Sequence, residues 1–123
     1  FSFSGSSFGE TAGIQIDDWV NIAVTYNATT KLRTLYVDGV ELGSSVSSTA
    51  YLGTDNLYIG TSQIFDAGAG SIADLKIYSG VLDTTDVTTV INNGVPANGL
   101  LVSHYPMQEG QGTVLDDVVG LVI

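Results

Sequence analysis

The stretch WVNIAVTYNATTKLRTLYVDG, residues 19–39, decides the fold class of this chain. In residues 20–26, large apolar side chains alternate with polar or small ones, which is the two-residue period of a β-strand. Turn-forming residues follow from Asn27, and residues 32–37 then predict a second strand. The stretch therefore predicts two successive strands joined by a turn.

The dipeptide Asp38-Gly39 ends the second of these strands. Both residues accept positive φ, which the two central positions of a type I′ turn require. Residues 40–42 are therefore predicted to fold straight back as a hairpin arm, and Gly43 and the serines after it are predicted to end that arm.

Similar alternation predicts further strands, and one stretch has a helical pattern instead. The further strands are expected at residues 1–4, 56–60, 71–78 and 99–105. In the helical stretch, near residues 84–92, Asp83 is a suitable N-cap, and apolar residues recur from Val87 at i, i+3 and i+4. Asp86 lies near the positive end of the helix dipole, and Gly94 is predicted to end the helix.

Composition and charge restrict the class of protein. The chain has 123 residues, enough for one domain, and it is 44% hydrophobic but only 13% charged, which favours an all-β fold. Thirteen acidic residues against three basic ones give a net charge of -10, which disfavours binding to nucleic acid and to anionic lipid. No apolar run approaches the roughly 20 residues that span a bilayer, so membrane insertion is not expected. The absence of cysteine excludes disulfides and thiolate metal sites.

Four motifs in order give the chain a family likeness: WVNIAVTY (19–26), LYVDG (35–39), LYIG (57–60) and GSIADLKIY (70–78). Together they resemble the laminin-G-like domains of the concanavalin A-like lectin and glucanase superfamily. The resemblance extends to about residue 91 and implies an antiparallel jelly-roll β-sandwich with a single domain over residues 1–123.

The segment GLLVSHYP (99–106), with EGQG (109–112) and Asp116, resembles the opening of such a domain. Here it comes last, after residues 1–98 have supplied what resemble the middle and late strands. The family also has more strands than this chain offers between its opening segment and the counterpart of Trp19. The resemblance therefore implies a sandwich that is either circularly permuted or completed by a strand or edge of a neighbouring chain.

Enzymatic activity is not expected. Glucanases of the superfamily carry closely spaced carboxylates, but Glu10, Glu41 and Glu109 have no second acid at strand spacing. His104 is the sole histidine, and no Gly-x-Ser-x-Gly motif accompanies it. A packed or surface histidine is the expected role.

Calcium is the cofactor that the resemblance implies, since relatives often bind one ion through aspartates and backbone carbonyls. Asp116 matches the aspartate of the opening segment, Asp74 lies in the matching late strand, and Asp117 is a further candidate ligand. The alternative is an ion pair of Asp74 with Lys76 or with a lysine or arginine of a neighbouring strand, with Asp116 capping a turn.

A sugar-binding site is a separate prediction, since pyranose rings stack on aromatic faces. Most aromatic residues of the chain alternate with core positions, and Tyr51 is the most loop-like, so it is the candidate ligand-binding residue.

Two functions follow from the sequence. The first is an extracellular recognition or adhesion module that binds a glycan or a cell-surface partner. The second is a structural subunit of an extracellular or virion surface assembly, a decoration or display protein that shares strands with copies of itself or with another subunit.

Overall fold

The computed structural model describes residues 2–3, 6–7, 18–53, 57–59, 70–112 and 114–119. Within these ranges it has seven strands and one helix. In chain order they are β1 (Ser2–Phe3), β2 (Ser6–Ser7), β3 (Ile22–Tyr26), β4 (Leu32–Val37), β5 (Val40–Val46), β6 (Leu75–Ser79), α1 (Thr84–Ile91) and β7 (Leu100–Tyr105). The predicted mostly β fold with one short helix is confirmed, and the antiparallel strand pairs are consistent with the predicted sandwich.

The largest sheet has the order β3-β4-β5 and is antiparallel throughout. Asp38 and Gly39 have φ of 49° and 81°, so both central turn residues are in the left-handed region, as the type I′ prediction requires. The expected end of the hairpin arm at Gly43 is wrong, because β5 continues to Val46 after a register shift opposite Leu35 and Tyr36. Ladder hydrogen bonds come from the backbone, so glycine and serine residues can extend a strand that a neighbour already orders.

The apolar core lies between this sheet and α1. Tyr36, Leu82 and Val87 are buried together, with Ala23 and Tyr78 among the half-buried side chains packed against them. Tyr36 is directly opposite Ala23 in the ladder, so both side chains lie on the face of the sheet that meets the helix.

The other face of β3 is the more apolar one, yet it is exposed. Ile22 and Val24 lie there with 56% and 39% of their surface accessible. Alternation along a strand shows which side chains share a face, whereas the neighbours of the sheet determine which face is covered.

The helix begins as predicted. The Asp83 carboxylate accepts a hydrogen bond from the Asp86 N–H (2.9 Å), and the Asp86 carboxylate accepts one from the Asp83 N–H (3.2 Å), which is a reciprocal capping box. The last helical residue is Ile91, and the left-handed residue after the cap is Asn93 (φ 60°), ahead of the predicted Gly94.

Two strand predictions need correction. Residues 57–59 are not a strand, and the rest of the predicted 56–60 segment lies outside the described residues. The strand predicted at residues 71–78 begins only at Leu75, because Asp74 has a φ of 55°, which a strand does not accommodate. By contrast, β7 matches the predicted strand at residues 99–105 to within one residue.

The described residues divide into two compact units. One comprises Phe1–Leu52 and Tyr78–Leu100, and the other Gly53–Ile77 and Leu101–Ile123. The β3–β5 sheet, α1 and their core belong to the first unit. Among the described residues, no helix is long and apolar enough to cross a membrane.

Candidate functional site

Four charged or titratable side chains of the second unit lie close together: Asp74, Lys76, His104 and Asp117, here called the His104 cluster. Asp74 immediately precedes β6, Lys76 lies on β6, His104 lies on β7, and Asp117 belongs to the segment after β7. The β6-β7 pair brings the first three together although 30 residues separate Asp74 from His104.

The Asp74 carboxylate has a cationic or imidazole neighbour at each oxygen. Lys76 Nζ donates to Oδ2 at 2.8 Å, and His104 Nε2 lies 2.6 Å from Oδ1. The hydrogen bond from Lys76, followed by that with His104, holds the pKa of Asp74 below its usual value. The left-handed backbone of Asp74 is a conformation that aspartate tolerates better than most residues. Although 55% of its side chain is exposed, Asp74 is therefore oriented from both sides.

Asp117 connects the last described segment to β7. Its Oδ1 accepts hydrogen bonds from the backbone N–H of His104 (2.9 Å) and of Val119 (3.1 Å). The His104 N–H and then the Ser103 hydroxyl lower the pKa of this carboxylate. Val118 adds a backbone bond to the His104 carbonyl at 2.9 Å, so the segment is held against the strand by polar contacts.

The three predicted calcium ligands do not converge on one site. Both oxygens of Asp74 are in contact with Lys76 or His104, and the backbone N–H of Asp116 donates to Glu109 Oε1 at 2.9 Å. Among the described residues, no group of three or more aspartate, glutamate, histidine or cysteine side chains is placed to hold a metal. Calcium takes six to eight oxygen ligands, backbone carbonyls among them, and these side chains by themselves do not form the predicted site. The alternative ion pair of Asp74 with Lys76 is what the structure contains.

Tyr51 is oriented by Tyr26 of β3. The two rings are edge to face, with centroids 6.3 Å apart and planes at 80°, and the Tyr51 N–H donates to the Tyr26 hydroxyl at 3.2 Å. Tyr51 remains 56% exposed. The predicted sugar-stacking residue is thus an exposed ring in contact with a second tyrosine, which residue type alone did not establish.

Trp19 is a second exposed aromatic residue. With 72% of its surface accessible, it exceeds Tyr51 and Tyr58 among the described aromatic residues. Its place at the start of a predicted strand favours a packed side chain, and no local pattern in the sequence indicates its exposure.

Asp86 is a buried carboxylate whose full role the sequence did not reveal. Only 2% of it is accessible, and besides its capping bond it accepts from the backbone N–H of Ala97 and from both the N–H and Nδ2 of Asn98, at 2.8–3.2 Å. The Asn98 side chain is the largest cause of its lowered pKa. Asp86 thus fixes the end of the loop that follows α1, a contact that no local pattern predicts.

Comparison with known proteins gives a family match. A laminin G-type family model, described as concanavalin A-like lectin/glucanases superfamily, matches residues 2–88, which is more than half of the chain. The match ends within α1, so β7 and the segment after it lie beyond it. No curated protein and no solved structure matches the chain.

Proposed function

Because the chain belongs to the concanavalin A-like lectin/glucanases superfamily, we propose that it is a non-catalytic recognition module for a glycan or a cell-surface partner. The observation that carries the proposal is the exposed Tyr51 ring held against Tyr26. The description of the superfamily names lectins and glucanases, so sugars are the ligand class that membership favours.

Tyr51 supplies what a pyranose ring requires from a protein surface. An aromatic face stacks on the C–H groups of a sugar, and the phenol adds a hydrogen bond. The contact with Tyr26 restricts the ring, and the hydrogen bond from the Tyr51 N–H holds its backbone, before a ligand arrives, which lowers the entropy lost on binding.

The contacts and positions of the described glutamates favour recognition without catalysis. Glu109 Oε1 accepts the Asp116 N–H, which lowers the pKa of Glu109 and gives its carboxylate a loop-ordering role. Glu41 lies exposed on β5, opposite Tyr36 in the ladder. Neither arrangement resembles the pair of carboxylates that flanks a glycosidic bond. Glu10 lies outside the described residues.

The finer architecture is part of the same proposal. A jelly-roll sandwich in which β7 takes the place of the family's opening strand accounts for the order of the motifs. An extracellular, cell-surface or virion-surface location fits a glycan-binding role. The proposed contact with the sugar depends on Tyr51 and does not require calcium.

A glycan array followed by titration calorimetry tests the proposal. Tyr51→Ala is expected to weaken binding of a glycan found on the array by about tenfold, as the loss of one aromatic contact predicts. Tyr51→Phe retains the ring and is expected to lose less. Tyr58→Ala, another exposed tyrosine, is the matched control. Unchanged affinity in Tyr51→Ala would contradict the proposed glycan site, and so would the absence of binding to any glycan on the array.

A structural subunit of a surface assembly is the second candidate function. The observation that favours it is the large number of exposed apolar side chains in the described residues, Val40, Leu52 and Val95 among them, against a buried core of Tyr36, Leu82 and Val87. Apolar side chains that form a contiguous exposed patch are typical of surfaces that another protein covers. Copies of the chain, or another subunit, would be the partners.

A further inference from the structure

The two edges of the β3-β4-β5 sheet differ in how they are protected against pairing. The β5 edge has Glu41, Gly43, two serines and a register shift. The β3 edge, with the sequence IAVTY, has no charge, proline, glycine or bulge. Charges and bulges are the usual means by which proteins prevent edge strands from pairing, so among the described strands β3 is the edge of this sheet that is open to pairing.

The ladder shows which backbone groups of β3 point away from β4. The Asp38 N–H donates to the Asn21 carbonyl, and the Asn27 N–H donates to the Leu32 carbonyl, both at 2.9 Å. Hydrogen-bonded pairs alternate along an antiparallel ladder, so the N–H and C=O of Ile22 and Val24 face outward. Within the described part of the chain no backbone group bonds to them, which leaves these groups available to another strand.

The side chains at this edge suit a second copy of the same strand. Ile22 and Val24 are apolar and exposed, and they lie on the face opposite α1. A copy meets only neutral atoms here, although each chain carries a net charge of -10. In an antiparallel copy, the Ile22 end of β3, which lies beside Asp38, meets the Tyr26 end of the other β3, which lies near Lys31. An acidic end therefore does not meet a second acidic end.

We propose that two copies of the chain pair antiparallel through β3, about a two-fold axis at Val24. In this register Val24 of one copy faces Val24 of the other, and Ile22 faces Tyr26, an aromatic and β-branched pair of the kind that stabilises sheets. The interface is isologous and joins two three-stranded sheets into one of six strands. The proposal stands independently of the glycan site.

Single-cysteine variants test the register directly, because the natural chain has no cysteine. Facing residues of a hydrogen-bonded antiparallel pair have Cα atoms about 5.5 Å apart, within the range that a disulfide bridges. Val24→Cys is expected to form a disulfide-linked dimer at least about tenfold faster than Val46→Cys, because pairing raises the local thiol concentration. Val46 is the control because it is also exposed but lies on the protected β5 edge.

Sedimentation velocity over a concentration series provides the second readout. The wild type and Val46→Lys are expected to dimerise. Val24→Lys, which places two lysines face to face, is expected to stay monomeric while retaining its circular dichroism spectrum. Added salt is expected to strengthen the dimer, because it screens the repulsion between two acidic chains. Equal cross-linking of the two cysteine variants, or a wild-type monomer at about 1 mM, would overturn the proposal.

Discussion

The contact between the β3–β5 sheet and α1 is stabilised by apolar packing, whereas the His104 cluster is stabilised by polar contacts. Tyr36, Leu82 and Val87 are buried in the first, and a buried large side chain contributes about 1.5–3 kcal/mol. In the second, the Asp74 carboxylate is more than half exposed, and exposed ion pairs contribute about 0–1 kcal/mol. The free energy of unfolding is therefore expected to depend mainly on the apolar contact. Its dependence on pH is expected to come from the carboxylates.

The largest effect is expected from the apolar side. Leu82→Ala removes a buried side chain from the core and should lower the free energy of unfolding by about 3 kcal/mol. The adjacent Val81 is exposed, so Val81→Ala should change it by less than about 0.5 kcal/mol. Urea denaturation measures both, and equal losses would mean that the core does not distinguish the two positions.

Asp86 should give the next largest effect and a dependence on pH. Its pKa is lowered from the usual 3.8 in the folded state, so its ionised form stabilises the fold above about pH 4, and this contribution is lost as the pH falls through the folded-state pKa. Asp86→Asn should lower the melting temperature at pH 7, because an amide group then faces the donors of Ala97 and Asn98.

The loss of stability between pH 7 and pH 2.5 should be smaller in Asp86→Asn than in the wild type. Calorimetry over this range measures it. Exposed Asp18→Asn is the control and should retain the wild-type pH profile. Parallel pH profiles for Asp86→Asn and the wild type would exclude Asp86 as a source of acid sensitivity.

A smaller and local effect is expected in the His104 cluster. Asp117→Ala removes the acceptor of the His104 and Val119 amides, and their hydrogen exchange should accelerate by about tenfold or more. Asp116→Ala leaves these two bonds in place and should leave both rates unchanged. NMR-detected hydrogen exchange measures both rates. If the His104 and Val119 amides remain protected in Asp117→Ala, other contacts hold the segment.

No effect is expected from calcium. Because the three predicted ligands do not converge among the described residues, the melting curve should be the same with calcium and with a chelator. A calcium-dependent rise in melting temperature that disappears in Asp116→Ala would reinstate the site that the family resemblance implied.

Features that depend on residues close together in the sequence were predicted well. The turn at Asp38-Gly39, the cap at Asp83 and the strand β7 follow from backbone preferences within a few positions. The predictions at residues 57–59 and 71–74 were wrong, because alternation of side chains does not ensure a partner strand or exclude a left-handed residue such as Asp74.

The sequence by itself determined which side chains of β3 share a face, where the hairpin turns and where α1 starts, because these depend on local backbone geometry. Only the tertiary structure decided that the Ala23 face is covered while the Ile22 face is exposed. It also gave Asp74 its contact with His104, and Asp86 its contacts with the loop after α1. These features depend on which segments meet in space, and contacts between residues far apart in the chain leave no periodic signal in the sequence.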